Sequence, residues 1–131
     1  MQKILIVDDE PHIRMLLEQT LEPLEDEGVE LLTATNGEEA LKIIRSERPQ
    51  VVFLDVMMPK MNGFDVCNSV KNLEPVEEIY IILLTARGQE FDKRKGEQVG
   101  ADMYMAKPFN PSQVLAKARE LLGDQGHDQS Q

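Results

Sequence analysis

The sequence predicts an α/β fold: a doubly wound, five-stranded parallel sheet with helices on both faces. Three observations lead there. Short apolar runs alternate with helix-period stretches along the 131 residues, the pattern of repeated strand–helix units. Most of these runs are continuously apolar, as strands buried on both faces must be. Four of them also stop abruptly on a polar residue of specific chemistry.

Lys3 to Val7 is the first strand and stops on Asp8 and Asp9. Pro11 suits a first helical turn, and Ile13, Leu16, Leu17, Thr20 and Leu21 recur at helical spacing to about Leu24. The acidic stretch Glu22 to Glu30, with Gly28, reads as a solvated helix end and turn. Glu30 to Ala34 is a second, shorter strand. Asn36-Gly37 predicts a turn, and Glu38 to Glu47 a second helix with Ala40, Leu41, Ile43 and Ile44 on one face, ended by Pro49.

Val51 to Leu54 is the central strand, cut off by Asp55, after which Pro59 and Asn62-Gly63 predict a loop. Phe64 to Leu73 makes a third helix, closed by Pro75. Ile79 to Leu84 is a fourth strand and ends on Thr85. Gln89 to Val99 is a weak fourth helix: it has few apolar residues, a basic run at Lys93-Arg94-Lys95, and an interior Gly96 that costs roughly 1 kcal/mol against Ala. It is expected to be the least rigid helix. Gly100 suits a C-cap, Met103 to Ala106 a fifth strand ending on Lys107, and Pro111 to Leu122 the last helix. Gly123 to Gln131 has no core-forming residue. The expected organisation is therefore one domain over residues 1–122 and a disordered tail or linker stub over 123–131.

Composition narrows the function classes. With 14 basic and 24 acidic side chains the formal net charge is -10, which repels phosphate backbones and argues against direct nucleic-acid binding. The single cysteine, Cys67, cannot form an internal disulfide and falls in an apolar helical pattern, so it is expected in or near the core. No apolar run approaches the roughly 18 to 20 residues of a membrane span, and no signal peptide precedes Ile4. A soluble, cytoplasmic protein is expected.

Right-handed crossovers put the C-terminal ends of all strands on one edge, where ligands of such sheets bind. In the order 2-1-3-4-5, the first and third strands are neighbours, so Asp8, Asp9, Asp55, Thr85 and Lys107 gather there. An Asp at a strand end can be a mere turn former; several such groups at one edge are poorly explained by capping. Two unit charges about 4 Å apart at an effective dielectric near 20 interact by roughly 4 kcal/mol, so three carboxylates need compensation. Lys107 offsets one, and an all-oxygen set asks for Mg²⁺, or Mn²⁺, over Zn²⁺. A metal, a Lys and a hydroxyl around one carboxylate suit phosphoryl transfer to a nucleophile, with Asp55 central.

These residues resemble the receiver domain of two-component response regulators, closely the stand-alone CheY-like kind, whose sheet has the flavodoxin-like order. The matching stretches are Val7-Asp8-Asp9-Glu10-Pro11, Leu54 to Gly63, Leu84-Thr85-Ala86 and Lys107-Pro108-Phe109, within about Lys3 to Leu122. Asn62 stands where the family often has Asp. The resemblance implies that Asp55 accepts a phosphoryl group from a histidine kinase or phosphotransfer protein, and that Asp8, Asp9, Asp55 and the backbone carbonyl of Met57 hold Mg²⁺. It also implies that Lys107 pairs with the phosphate and that a cis bond precedes Pro108.

By the same resemblance, Thr85 and Tyr104 act as the switch that alters the face of the fourth helix, fifth strand and fifth helix for a downstream effector. The protein is then a monomer or a phosphorylation-dependent dimer, and not an enzyme acting on external substrates. Met57 and Arg87 flank the route of the attacking water; Met57 cannot orient that water, so slow self-dephosphorylation is expected. Bland readings stand beside these: Tyr104 as an ordinary half-buried strand residue, Lys93-Arg94-Lys95 as a solvated face instead of a docking patch for an acidic partner, His12 as a surface residue, and Met57, Met58 and Met61 as packing. Three other functions compete. One is the receiver half of a longer regulator with a DNA-binding or enzymatic output. Another is a Mg²⁺-dependent phosphatase with an Asp nucleophile, which lacks its Asp-x-Asp pattern and cap domain here. The last is a flavin or nucleotide carrier, for which no phosphate-cradling Gly loop is present.

Overall fold

The computed structural model of the protein describes residues 2–58, 60–73, 78–86 and 98–127. Five parallel strands form one sheet in the order β2-β1-β3-β4-β5: β1 Lys3–Val7, β2 Glu30–Ala34, β3 Val51–Asp55, β4 Tyr80–Ala86 and β5 Met103–Lys107. The expected fold class and strand order are both present.

The continuous apolar runs have a direct structural counterpart. Successive strand residues point to opposite faces, and both faces are covered. Leu5, Val7, Val52, Leu54, Ile81 and Leu83 enter one core with Ala40, Ile44, Phe64 and Val66. Ile4, Ile6, Val51, Phe53, Ile82 and Leu84 enter the other with Leu17, Leu21, Val114 and Ala118. Helices α1 (Pro11–Glu25), α2 (Gly37–Glu47) and α3 (Gly63–Asn68), with the C-terminal helix Pro111–His127, supply those partners. Burial on both sides leaves the strands little freedom to slip, because a one-residue shift would exchange the two cores.

Four differences from the sequence expectation have physical causes. The Asn-Gly pairs at 36–37 and 62–63 are helix starts and not free turns. Asn36 and Asn62 are N-caps whose side chains accept from the backbone N–H of Glu39 and Asp65, both at 2.9 Å. Each following glycine is there for close approach: a Cβ on Gly37 would overlap the Met61 carbonyl, and one on Gly63 the Asp55 carbonyl. The loop after β3 is thus held between the first residues of two helices.

The third helix does not continue uniformly to Leu73, because Ser69–Leu73 is a π-helical turn. From it, Lys71 Nζ reaches the Ile79 carbonyl at 2.6 Å and the Asp102 carboxylate at 2.8 Å, bonds that fasten this wider turn to the sheet. The last helix stays helical through Gly123 to His127, past Leu122, the last residue it contributes to the core. No proline interrupts that stretch, so nothing in the backbone chemistry stops the helix at Leu122. Lastly, β4 and β5 run through Thr85 and Lys107, making these polar groups members of the sheet.

Gly100 has φ 87°, the left-handed conformation expected of a C-cap. Gln98 and Val99 before it are helical; the remainder of the expected fourth helix, with Lys93-Arg94-Lys95 and Gly96, lies outside the described residues, as do Pro59, Pro75 and Arg87.

The glycine contacts predict that Gly63→Ala lowers the unfolding free energy by about 1–3 kcal/mol through overpacking. Gly123→Ala, whose Cβ would meet nothing, raises it by a few tenths to about 1 kcal/mol through helix propensity. Urea unfolding of the two variants, read by circular dichroism, checks both signs.

Candidate functional site

Strand pairing assembles the site. Val7 pairs with Leu54 across β1 and β3, so the next residues, Asp8 and Asp55, emerge side by side. Thr85 and Ala86 pair with Ala106 and Lys107, which brings the Lys107 ammonium to the same edge. Lys107 Nζ lies 3.1 Å from Asp8 Oδ2, 3.3 Å from Asp55 Oδ1 and 3.8 Å from Glu10 Oε1. One ligand oxygen from each of Asp8, Asp9 and Asp55 falls within 4.8 Å of the others. The Lys107–Pro108 peptide bond is cis, as the resemblance implied.

The carboxylates are not equivalent. Asp8 is 0 % exposed and Asp55 4 %, whereas Asp9 faces solvent. Asp8 Oδ1 accepts the Glu10 backbone N–H at 2.9 Å, and Oδ2 is taken up by Lys107. Desolvation pushes the Asp55 carboxyl up to about 6, the neighbouring Asp8 charge adds to that, and Lys107 and a backbone N–H bond from Met57 work against it. Desolvation also raises Asp8. Burial works against the Lys107 ammonium, but Asp55 and Asp8 more than reverse it, and its pKa is raised.

Three acidic groups share one ammonium, and two of the three are buried. That leaves an excess of negative charge in a low-dielectric edge made entirely of oxygen donors, which fits a hard divalent cation. Asp8, Asp9 and Asp55 are the residues that could hold it.

The other predicted residues lie as follows. Thr85 is half-buried on β4, and its Oγ1 lies 3.5 Å from the Met105 carbonyl, turned toward β5. Tyr104 is half-buried on β5 and packs against the core under α2 and α3, while Met103 and Met105 on either side pack on the opposite core. Met57 is 60 % exposed beside the site, whereas Met58 and Met61 pack against the core. His12 is an exposed residue of α1, and Cys67 is buried with its Sγ 3.3 Å from the Val99 carbonyl.

Sequence reasoning assigned no role to Arg14. Its Nη1 lies 2.7 Å from the Asp8 backbone carbonyl. A basic side chain near a helix N-terminus, where the macrodipole disfavours positive charge, was the available signal.

An open parallel sheet with a buried carboxylate pair, an exposed third acid and an ammonium at its C-terminal edge defines a domain with a charged, oxygen-rich ligand edge. Residues 4–119 match the family described as the response regulator receiver domain, and the chain belongs to that family. It is 47% identical over 121 residues to the "Probable transcriptional regulator ycf27" of Porphyra purpurea, covering 92% of this chain and 47% of that protein. It is 44% identical to the alkaline phosphatase synthesis transcriptional regulatory protein PhoP of Bacillus subtilis, covering 92% of this chain and 48% of that one. The chain thus spans about half the length of these curated relatives. Among solved structures it is similar to the chemotaxis response regulator CheY4 of Vibrio cholerae, with a TM-score of 0.78, 36% identity, and 93% and 99% of the two chains covered. A second is the BeF3-activated DrrB receiver domain, with a TM-score of 0.77, 36% identity, and 94% and 98% covered.

The raised Asp55 fixes a sign. Between about pH 4 and 6 the folded state keeps a proton that the unfolded chain, with a pKa of 3.8, has already released. The Asp55 contribution to stability is therefore greatest below that window and falls as pH rises through it. Without divalent cation, Asp55→Asn is expected to be more stable than wild type at pH 7 by up to roughly 3 kcal/mol, with the gap closing toward pH 4. Chemical denaturation of both proteins in EDTA across that range checks this.

Proposed function

We propose that this receiver domain takes a phosphoryl group on Asp55 from a phosphohistidine of a kinase or phosphotransfer protein and passes the signal to a downstream effector. The observation that carries the choice of Asp55 is its environment. It ends the central strand, and desolvation pushes its buried carboxyl up to about 6, so that it is ionised at neutral pH. Asp8 has both oxygens engaged, and Asp9 faces solvent.

In this reading an Asp55 carboxylate oxygen attacks phosphorus, a new O–P bond forms as the donor's N–P bond breaks, and the imidazole leaves and is reprotonated. Lys107, already 3.3 Å from Asp55, pairs with the phosphoryl oxygens as negative charge shifts onto them. Mg²⁺, or Mn²⁺, held by Asp8, Asp9, Asp55 and the Met57 carbonyl, would supply further charge neutralisation. Thr85, whose hydroxyl now lies toward the Met105 carbonyl, turns to the phosphoryl group, and Tyr104, already half inside, follows behind it. The surface of β5 and its flanking helices is the face this would change. A cytoplasmic location and a monomer or phosphorylation-dependent dimer go with the reading.

The curated relatives favour one second reading. They are about twice as long and are named transcriptional regulators, which supports this domain as the receiver half of a regulator with a DNA-directed output. The CheY4 match, which covers 99% of that chain, supports the stand-alone alternative. A pull-down comparing beryllofluoride-loaded with bare protein separates an effector protein from self-association.

With Mg²⁺ and acetyl phosphate, the chain is expected to take up one phosphoryl group per molecule. Intact-mass spectrometry should show the added mass in wild type and none in Asp55→Ala; persistent labelling in the variant excludes Asp55. Continuous turnover of a small phosphate ester would instead mark a phosphatase.

The exposed thioether of Met57 has no donor and only a weak sulfur acceptor with which to orient a water. Met57→Asn supplies one, and hydrolysis of the acyl phosphate is expected to quicken on the order of tenfold. The decay of labelled protein after removal of acetyl phosphate checks this.

A further inference from the structure

The three-residue turn Asp8-Asp9-Glu10 between β1 and α1 carries two of the three acids, and its tethers are unequal. The Asp8 backbone N–H donates to the Ala34 carbonyl at 3.2 Å, which fixes where the turn leaves the sheet. The Glu10 backbone N–H donates to Asp8 Oδ1 at 2.9 Å. That second tether draws on a carboxylate already bonded to Lys107 and needed by any bound cation. Glu10, the N-cap of α1, makes no side-chain capping bond, so the usual stiffening of a strand-to-helix turn is missing here.

Arg14 supplies a tether of another kind. It stands in the second turn of α1, and side chains on a helix lean toward its N-terminus; its guanidinium reaches back to the Asp8 carbonyl at 2.7 Å. The bond is charge-assisted and uses no carboxylate. A cation near a helix N-terminus is otherwise disfavoured, so a specific bond is needed to account for its being held there.

We propose that Arg14 is a positioning residue of the cation site: by holding the Asp8 carbonyl it keeps the turn in the shape that presents Asp8 and Asp9 to a divalent cation. The inference rests on reading the acidic edge as a Mg²⁺ site. The guanidinium charge by itself would repel a cation, so positioning and bare electrostatics predict opposite signs on its removal.

The experiment is a Mg²⁺ titration of the whole chain at neutral pH by isothermal calorimetry and by the shift in melting temperature, on wild type, Arg14→Ala and Arg14→Lys. Losing one charge-assisted bond that organises the site is expected to weaken Mg²⁺ binding about three- to tenfold in Arg14→Ala. Arg14→Lys, which keeps a donor and the charge, falls between. Acetyl phosphate labelling of Arg14→Ala should need correspondingly more Mg²⁺ for half-maximal rate yet reach the wild-type rate at saturation. A merely structural role would lower the melting temperature in EDTA and leave the half-saturating Mg²⁺ unchanged. Affinity that is unchanged or tighter in Arg14→Ala, with wild type responding normally, overturns the positioning role alone. A wild-type chain indifferent to Mg²⁺ overturns the metal-site reading and this inference with it.

Discussion

Repulsion between Asp8 and Asp55, driven together by the pairing of β1 with β3, is the constraint around which the edge of this domain is arranged. Both side chains are nearly inaccessible, and the register that buries the cores on both faces offers no way to separate them. Lys107 arrives from the far side of β4 through an equally fixed register. Its single charge cannot balance two buried carboxylates with Asp9 and Glu10 nearby. Packing therefore builds an electrostatic deficit into the fold, and the Asp55 carboxyl, lifted to about 6 by desolvation first and by the Asp8 charge second, registers both the burial and the crowding. A buried charge cluster adds little stability; what it provides is a strong preference for whatever brings positive charge.

The same edge must also hold its shape against this repulsion. Backbone packing does this on the β3 side, where the Asp55 carbonyl lies against Gly63 and the Met61 carbonyl against Gly37. The Gly63 N–H donates to the Val56 carbonyl, and the Val56 N–H to that of Leu84. Both glycines open helices capped by asparagine, so helix starts double as buttresses for the loop. On the β1 side no such glycine buttress is found among the described residues, and polar tethers take over.

Much of this was legible in the chain. Continuous apolar runs of four or five residues read as strands because burial on two faces leaves no place for polar alternation, and the abrupt switch to Asp55, Thr85 or Lys107 marked where each strand leaves the core. The carboxylate cluster followed once parallel order put those switches on one edge. What escaped was set by contacts between distant residues. Asn-Gly is a turn signal in isolation; only the proximity of the Met61 and Asp55 carbonyls makes each pair a capped helix start with an obligatory glycine. The π-helical turn at Ser69–Leu73 depends on Lys71 meeting Ile79 and Asp102, partners that helical periodicity cannot see. The expected tail over 123–131 rested on a lack of core-forming residues, which does not by itself stop a helix, and the last helix continues to His127; residues 128–131 lie outside those described.

The placement of Thr85 and Tyr104 suits the proposed passage of a local charge event to β5. Thr85 shares the rim with Asp55 but has its hydroxyl toward the Met105 carbonyl on the neighbouring strand, and Tyr104 precedes that same residue. A hydroxyl drawn to a new anion at Asp55 would leave the Met105 carbonyl, and the strand that carries both Met105 and Tyr104 is an edge strand, paired on one side only. Edge strands are held by half the ladder bonds of interior ones, whereas β1 and β3 are clamped by two neighbours each. A rearrangement of this kind would fall on the side of the sheet where it meets least resistance, away from the strands that fix the acids. Two-sided register at the strands that concentrate charge, and a single-sided ladder at β5 where the proposed switch would act, are two consequences of one strand order.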